Sequence, residues 1–346
     1  MNGRLIYIIN ETQGILLRNL AFYMVDLRDR KRRLITHMPL SYRRNAIMSY
    51  CRLLTRLVRL EPKCAGRLDE NRYVVCVLGK LWLLNAQERT ITQLAAMRSG
   101  YSILNFCEHD GCLYWGDYGT NSNHEEINIY RLDKNLHRDI VYRFAPNSIR
   151  HIHNIISVDN GFIVMAGDNE PQAGIYHANA DWTEVIPWKI GQQKYRAVVG
   201  FPYKGGLLYA TDSVETENHI RLISANGEEK ILTAINGSCI YGTEIKDYYL
   251  FSTTVEPHEG RGIKNLFSNS LGNGIKSKDV HIISVNKDDL SVRIVKKYKK
   301  DIWPMKLFQY GTIIFPKGQE DNIKGVWCYN VACRKHDGKS EYIKII

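Results

Sequence analysis

The sequence predicts an all-β protein, a β-propeller of four-stranded blades, and three observations support this prediction. Short apolar strands separated by Gly, Asn and Asp turns run from residue 66 to the end of the chain. They recur in a cycle of about 40 to 60 residues with four strands in each unit, which is typical of propeller blades. A Gly-Asp or Thr-Asp pair follows the second strand in several units. We therefore expect one propeller domain over residues 1–346.

The number of blades follows from counting these units. Six units lie after residue 66, and the strands predicted in residues 3–38 would make a seventh, completed by the C-terminal strand. The alternatives are a six-bladed propeller with an N-terminal extension and a β-sandwich, although sandwiches seldom keep one period over six units. The predicted first strands of the later units are Ile103–Cys107, Ile149–Val158, Tyr195–Phe201, Cys239–Ile245 and Met305–Phe308.

Residues 41–60 differ from the rest and predict one inserted amphipathic helix with a basic character. Ser41 is a candidate N-cap, and Pro62 stops the pattern. On a helical wheel one face carries arginines, namely Arg52, Arg56 and Arg59. The opposite face is apolar and consists of Ile47, Tyr50, Cys51, Leu54, Leu57 and Val58. We expect the apolar face to pack on the propeller and the arginines to be solvated, with peripheral contact with an anionic membrane as the alternative.

Charge and composition suggest an acidic partner and a reducing compartment. The net charge is +11, and residues 1–60 hold twelve Lys/Arg against three Asp/Glu. No apolar run approaches the roughly 18 residues of a membrane span, and the N-terminus does not resemble a signal peptide. The eight cysteines form no CxxC pair, so we expect reduced thiols. The predicted location is cytoplasmic, with peripheral contact at the inner membrane face.

The stretch from Arg150 to Asp168 predicts a hairpin that carries reactive side chains. Residues i and i+2 of a strand share a face, so His151 and His153 should point the same way. The turn Asp159-Asn160-Gly161 then leads into a strand that ends before Asp168. Two imidazoles and a carboxylate from one hairpin are candidate ligands of a divalent metal, which is the one cofactor the sequence suggests.

Other candidate residues occupy equivalent places in their units. The first-strand candidates are His151, His153, Tyr195, Arg196 and Tyr241, and those at the ends of second strands are Asp117, Tyr118, Asp168, Asp212 and Glu256. Adjacent antiparallel strands bring the start of one close to the end of the next. We expect the two sets to meet in one funnel that suits a sugar, in which Arg196, Tyr195, Asp212 and Tyr118 bind substrate.

Turns between third and fourth strands carry a partial match to a known sequence motif. The stretches Arg131–Arg138, Ser284–Asp288 and Ser224–Gly227 are similar to the Asp-box of sialidase-like propellers. The stretches GDYGTNSNHEEINIYR, IRHIHNI and IWPMKLFQYG resemble uncharacterised BNR-repeat or glycosyl-hydrolase-like propellers found near polysaccharide synthesis genes. This resemblance implies a propeller that handles carbohydrate, and its sialidase-like variant would use Tyr241 as nucleophile and Glu256 as its base.

Several functions remain open at this point. Two carboxylates would hydrolyse a glycosidic bond, whereas His151 or His153 with a tyrosine would abstract a uronate proton while Arg196 neutralises the carboxylate. The candidate catalytic residues are Asp117, His151, His153, Asp168, Tyr241 and Glu256. We therefore expect a hydrolase or lyase acting on acidic capsule or exopolysaccharide. The alternative is a non-catalytic propeller scaffold that binds glycan or protein, and a nucleic-acid partner is disfavoured because no basic groove with interleaved aromatic residues is evident.

Overall fold

The computed structural model describes residues 1–39, 43–258, 260 and 262–345. Ser41, the predicted helix cap, lies outside these residues. Within them the chain forms seven successive antiparallel sheets of three or four strands, each ordered as its strands follow in sequence, and one additional two-stranded sheet. This is the blade order of a seven-bladed β-propeller, so the predicted fold class is confirmed, and the six-bladed and sandwich alternatives are wrong.

The first three blades have the following strands. Blade 1 contains Arg4–Asn10 (β1), Gln13–Arg18 (β2), Ala21–Asp26 (β3) and Arg32–His37 (β4). Blade 2 contains Ala65–Arg67 (β5), Arg72–Val77 (β6), Lys80–Asn85 (β7) and Thr90–Ala96 (β8). A small pair, Tyr101–Ser102 (β9) with Tyr118–Gly119 (β12), accompanies blade 3, which contains Cys107–His109 (β10), Cys112–Gly116 (β11), Ile127–Leu132 (β13) and Arg138–Phe144 (β14).

The remaining blades continue the pattern. Blade 4 contains Ile152–Val158 (β15), Gly161–Ala166 (β16), Gly174–Asn179 (β17) and Val185–Ile190 (β18). Blade 5 contains Ala197–Tyr203 (β19), Gly206–Thr211 (β20), Asn218–Ile223 (β21) and Glu229–Ile235 (β22). Blade 6 contains Cys239–Ile245 (β23), Tyr248–Thr253 (β24), Asp279–Asn286 (β25) and Val292–Lys299 (β26), and blade 7 contains Thr312–Ile314 (β27), Gly325–Val331 (β28) and Ser340–Lys344 (β29).

Four details of the predicted strands are wrong. The predicted first strand Ile103–Cys107 shares only Cys107 with β10, which is Cys107–His109. Met305–Phe308, expected as the first strand of the last unit, is a short helix, which leaves blade 7 with three strands among the described residues. The strand predicted from Tyr195 begins at Ala197, because Gln193–Tyr195 forms one turn of 3-10 helix. The C-terminal strand does not complete the first blade, since β29 pairs with β28.

The described helices are Arg43–Ser49 (α1), Arg52–Leu57 (α2), Ile263–Leu266 (α3) and Met305–Phe308 (α4). The predicted single helix over residues 41–60 is thus two short helices, and Cys51 between them has extended backbone (φ −102°, ψ 115°). None of the helices in the described part of the chain has the length and apolar character needed to cross a membrane.

The faces of this helical segment are the reverse of those predicted. Arg56 is 1% exposed and Arg52 is only partly exposed, whereas the side chains of Ile47 and Tyr50 are 75% and 77% exposed. The prediction that the arginine face is solvated therefore fails for Arg52 and Arg56 and holds for Arg59. Ion pairs are the physical reason: Arg56 contacts Asp301 and Asp337, and Arg52 contacts Glu61 and Asp337.

The chain divides into two compact units. One comprises residues 1–61 and 199–346 and holds blades 1, 5, 6 and 7, and the other, residues 62–198, holds blades 2, 3 and 4. In the second unit the whole of β16 is buried, and Phe162 and Val164 pack in one apolar cluster with Ile155. This packing fixes the hairpin that carries the predicted histidines. All eight cysteines are free thiols.

Candidate functional site

The hairpin formed by β15 and β16 brings three predicted site residues to one end of blade 4. The strands pair antiparallel from Val158↔Gly161 at the turn to Ile152↔Ala166 at the open end. His151 immediately precedes β15, and Asp168 follows β16 by two residues. Because the start of β15 and the end of β16 are neighbours, the histidines and Asp168 come together.

His151 and His153 face each other across a short gap, so the prediction of a shared face is confirmed. Their Nε2 atoms are 2.9 Å apart. The pairing register gains one residue between Ile152 and Asn154, which makes His153 part of a β-bulge. Bulges are common beside functional sites because they re-aim a side chain. Asp168 Oδ1 lies 3.2 Å from Nε2 of His151 and 3.1 Å from Nε2 of His153.

Backbone carbonyls determine which ring nitrogen of each histidine carries a proton. His151 Nδ1 lies 2.6 Å from the carbonyl oxygen of Gly119, and His153 Nδ1 lies 3.0 Å from that of Ala197. A carbonyl oxygen can only accept, so each Nδ1 carries the proton that is donated. In the neutral rings both Nε2 atoms are then unprotonated. Burial lowers the pKa of His153, against a hydrogen bond to the Asp168 carboxylate that raises it, so the neutral form is favoured there.

Three acceptor atoms therefore converge in a buried place. They are the two Nε2 atoms and the Oδ1 atom of Asp168, and the residues that carry them are 3%, 2% and 8% exposed. Three lone pairs at about 3 Å from one another repel unless a cation or a proton lies between them. A metal about 2.1 Å from each ligand places neighbouring ligands about 3 Å apart. The separations seen here match that requirement, and the three residues form a potential metal-binding group.

Two arginines lie beside the Asp168 carboxylate, one at each oxygen. Arg150 Nη1 lies 3.0 Å from Oδ2, and Arg196 Nε lies 3.4 Å from Oδ1. Burial raises the pKa of Asp168, but hydrogen bonds and positive charge from His151 and His153 in their protonated forms outweigh it and hold this pKa well below its usual range. A cation at the two Nε2 atoms, whether protons or a metal, thus keeps Asp168 ionised. Arg150 and Arg196 are partly exposed, so their guanidinium groups can meet an incoming anion.

Asp117 and Tyr118 lie beside the histidines but differ in accessibility. Asp117 is fully buried, and its Oδ2 accepts a hydrogen bond from the backbone N–H of Asn128 at 3.2 Å. Burial raises the pKa of Asp117, opposed by the hydrogen bonds from Asn128 and by the charge of Arg98. The Tyr118 ring is partly exposed, and its centroid lies 4.4 Å from that of His151. Tyr118 is therefore accessible to a ligand, whereas Asp117 is a buried neighbour.

Three predicted site residues belong to the other compact unit. Asp212 directly follows β20 and is buried. The burial of Cys239 and the nearby charge of Asp212 raise the pKa of the Cys239 thiol. Glu256 Oε1 accepts hydrogen bonds from the hydroxyls of Ser238 and Thr254. Tyr241 is partly buried against apolar residues of that unit. The expected common funnel of all candidates stays a prediction.

Sequence reasoning missed several contributors to the site. Arg150 was not singled out, although it directly precedes His151, because alternation in the predicted strand Ile149–Val158 places it on the face opposite the two histidines. Gln193 donates from Nε2 to the backbone oxygen of Asp168 at 2.7 Å, and its 3-10 turn was not predicted. Tyr195, predicted to bind substrate, is buried in that turn, with Arg196 directly after it. The carbonyls of Gly119 and Ala197 have no side-chain signal at all.

Comparison with known proteins identifies fold neighbours. No protein-family model matches the chain, and no curated protein matches it. Among solved structures it is similar to an oligogalacturonate lyase in complex with manganese, with a TM-score of 0.54, 8% identity, and coverage of 92% of this chain and 88% of that chain. An oligogalacturonate lyase from Vibrio parahaemolyticus matches with the same values. The AfRom2 CNH domain matches with a TM-score of 0.57 and 7% identity over 100% of this chain and 94% of that chain.

These likenesses show the fold alone, because identities of 7–8% do not establish a shared activity. The propeller part of the predicted resemblance is confirmed, whereas its sialidase and BNR-repeat part has no support from these comparisons.

Proposed function

We propose that this propeller is a divalent-metal-dependent lyase that cleaves an acidic oligosaccharide by β-elimination. The observation that carries the proposal is the convergence of His151 Nε2, His153 Nε2 and Asp168 Oδ1 with both Nδ1 protons already donated to backbone carbonyls. A fold neighbour that is an oligogalacturonate lyase in complex with manganese adds support, as do the two arginines beside the cluster.

The carboxylates of this cluster favour elimination over hydrolysis. A glycoside hydrolase needs one carboxylic acid whose pKa is raised so that it can protonate the leaving group. Asp168 has the opposite property, because its pKa is depressed. Asp117 has a raised pKa but is fully buried and hydrogen-bonded to Asn128, so it is inaccessible to a sugar. Neither residue meets both requirements of the acid.

Elimination uses the groups that the site does provide. A base takes the C5 proton of a uronate, a double bond forms between C4 and C5, and the C4–O bond breaks with its electron pair leaving on the oxygen, which takes up a proton from water. The carboxylate next to C5 must be neutralised to make that proton acidic, and Arg150 and Arg196 are placed for this role. His151, His153 and Asp168 would hold the metal, which would supply further positive charge when bound. Tyr118, beside His151 and partly exposed, is the candidate proton acceptor.

Metal and activity measurements test the proposal together. The protein, stripped with a chelator and titrated with Mn²⁺ by calorimetry, should bind about one ion, and His153→Gln should weaken binding at least about 100-fold, since loss of even an outer-shell partner costs 10- to 100-fold. His177→Gln is the matched control, because this half-buried imidazole contacts the Trp188 ring in a tilted arrangement and is not part of the cluster. With acidic oligosaccharides, the loaded wild type should produce unsaturated uronates that absorb in the ultraviolet. Absence of Mn²⁺ binding would refute the metal, and reducing-sugar release without unsaturated product would refute elimination.

One observation favours a second candidate, a non-catalytic glycan-binding propeller. Asp168 is already surrounded by two imidazoles and two guanidinium groups and is nearly buried, as a purely structural ion-pair network would be. In that case the protein binds acidic oligosaccharide without turnover, and Arg150→Ala weakens this binding while product stays undetectable.

A further inference from the structure

The helical segments of the unit formed by residues 1–61 and 199–346 expose an unusual number of apolar side chains. Ile47 and Tyr50 are 75% and 77% exposed, and Ile263 and Ile302 are 77% and 78% exposed. Together with nearby residues they form what we call the helical apolar patch. Its members are Ile47, Tyr50, Leu54, Leu57, Val58, Ile263, Leu266, Phe267, Ile302 and Trp303.

The segments that carry the patch are neighbours in the fold. Arg56 of α2 donates from Nε to the carbonyl oxygen of Phe308 in α4. Lys306 of α4 donates from Nζ to the carbonyl oxygen of Gly260, just before α3, at 2.7 Å. Asn269, just after α3, donates from Nδ2 to the carbonyl oxygen of Ile302 at 3.0 Å.

Ion pairs on the opposite side of α2 keep the apolar side chains of this helix facing solvent. The inner side of α2 is polar, since Arg56 contacts Asp301 and Asp337 and is itself buried. Burying the apolar side of α2 instead would require these charges to separate, which costs several kcal/mol in a buried pair. The fold thus keeps the apolar side chains in solvent at an energetic cost. Patches of this kind mark interaction sites, unlike isolated exposed apolar residues.

The charge of the same segments indicates what covers the patch. Residues 43–61, 262–269 and 301–309 contain seven Lys/Arg and two Asp/Glu, and Asp337 pairs with Arg52 and Arg56, so positive charges still outnumber negative ones here. A second copy of this chain docking patch to patch would bring like charges together. An anionic bilayer offers both an apolar layer and negative headgroups, and Trp and Tyr side chains favour that interface. Short amphipathic helices that lie in the interface plane bind membranes in this way.

We propose that the helical apolar patch docks the protein on an anionic membrane surface by inserting its apolar side chains. This differs from a purely electrostatic contact through Arg52 and Arg56, which are engaged by Glu61, Asp301 and Asp337. The proposal is independent of the metal cluster, which lies in the other compact unit.

Vesicle sedimentation tests it with a charge-matched control. The wild type should sediment with phosphatidylcholine–phosphatidylglycerol vesicles, less in high salt, and only weakly with phosphatidylcholine alone. The double variant Ile47→Glu/Ile302→Glu should lose about tenfold or more in partitioning. Ile231→Glu/Ile294→Glu changes the net charge equally at apolar residues 50% and 49% exposed on outer strands β22 and β26, and it should change partitioning less than twofold.

Three outcomes would overturn the proposal. They are absence of binding by the wild type, equal losses in the two double variants, and a concentration-dependent dimer in analytical ultracentrifugation that only the patch variant abolishes. The last result would assign the patch to a second copy. Should the glutamate variant unfold, as judged by circular dichroism, Ile47→Ser/Phe267→Ser replaces it with the same expected direction.

Discussion

Replacing Arg56 by Met should be among the most destabilising single changes in this protein. Arg56 is 1% exposed, and its Nη1 contacts Asp301 and, at 3.0 Å, Asp337 Oδ2. Its Nε and Nη2 donate to the carbonyl oxygens of Phe308 and Gln309. Methionine keeps much of the volume but leaves these acceptors without their donor.

The magnitude follows from what remains after the change. Breaking a buried ion pair by removing one partner costs about 3–5 kcal/mol. Asp337 would keep Arg52 at 2.8 Å, and Asp301 would keep Lys300 at 2.6 Å, so the carboxylates are not wholly uncompensated. We therefore expect the lower end of that range, about 3 kcal/mol. At about 2–4 °C for each kcal/mol, this lowers Tm by about 6–12 °C.

The assay is thermal unfolding followed by circular dichroism, with two comparison variants. Arg59→Met removes an exposed arginine of the same segment and should change the free energy of unfolding by less than about 0.5 kcal/mol. Arg56→Lys keeps the charge but loses the planar fork, so an intermediate loss is expected. If Arg56→Met and Arg59→Met unfold within 2 °C of each other, the ion pairs do not hold the helices and the reasoning above is refuted.

Two further predictions concern acid stability and strand packing. Burial raises the pKa of Asp337. The hydrogen bond and charge of Arg52 and the charge of Arg56 lower this pKa by more than burial raises it, so the folded pKa lies below the unfolded value of about 3.9. This carboxylate therefore contributes stability above about pH 4, and that stability is lost as the pH falls through the folded pKa. The Tm difference between wild type and Arg56→Met should accordingly shrink below pH 4. A Tm difference that grows below pH 4 would contradict this linkage. Separately, Gly116→Ala would place a Cβ 2.4 Å from the Cβ of Ile152, the residue between the two histidines in sequence. We expect this clash to lower the free energy of unfolding by about 1–3 kcal/mol and to weaken Mn²⁺ binding. Wild-type stability and wild-type Mn²⁺ affinity would show that β15 shifts freely.

The sequence was sufficient to predict the blades and the core of the site. Period-2 reasoning placed His151 and His153 on one face, and the turn at Gly161 brought Asp168 back beside them. These inferences worked because a hairpin is local, so that neighbours in space are close in sequence. Arg150, by contrast, was assigned to the opposite face by alternation in the predicted strand Ile149–Val158, whereas the observed strand begins only at Ile152. The carbonyls of Gly119 and Ala197, which set both tautomers, come from segments 32 and 44 residues away from the histidines they contact.

The same distinction explains why the helical segment was predicted with its faces reversed. A helical wheel shows which residues share a face, but which face turns inward depends on partners elsewhere in the chain. Asp301 and Asp337 are 245 and 281 residues from Arg56 along the chain, and no periodicity in residues 43–60 records them. If only buried area mattered, the apolar face would turn inward, because each Å² of apolar surface removed from water contributes about 25 cal/mol. Here, however, three carboxylates already occupy the inner side and need cations, since an unpaired buried carboxylate costs more than an exposed isoleucine. The arginines therefore turn inward, and the apolar side chains are left as a surface that a membrane can cover.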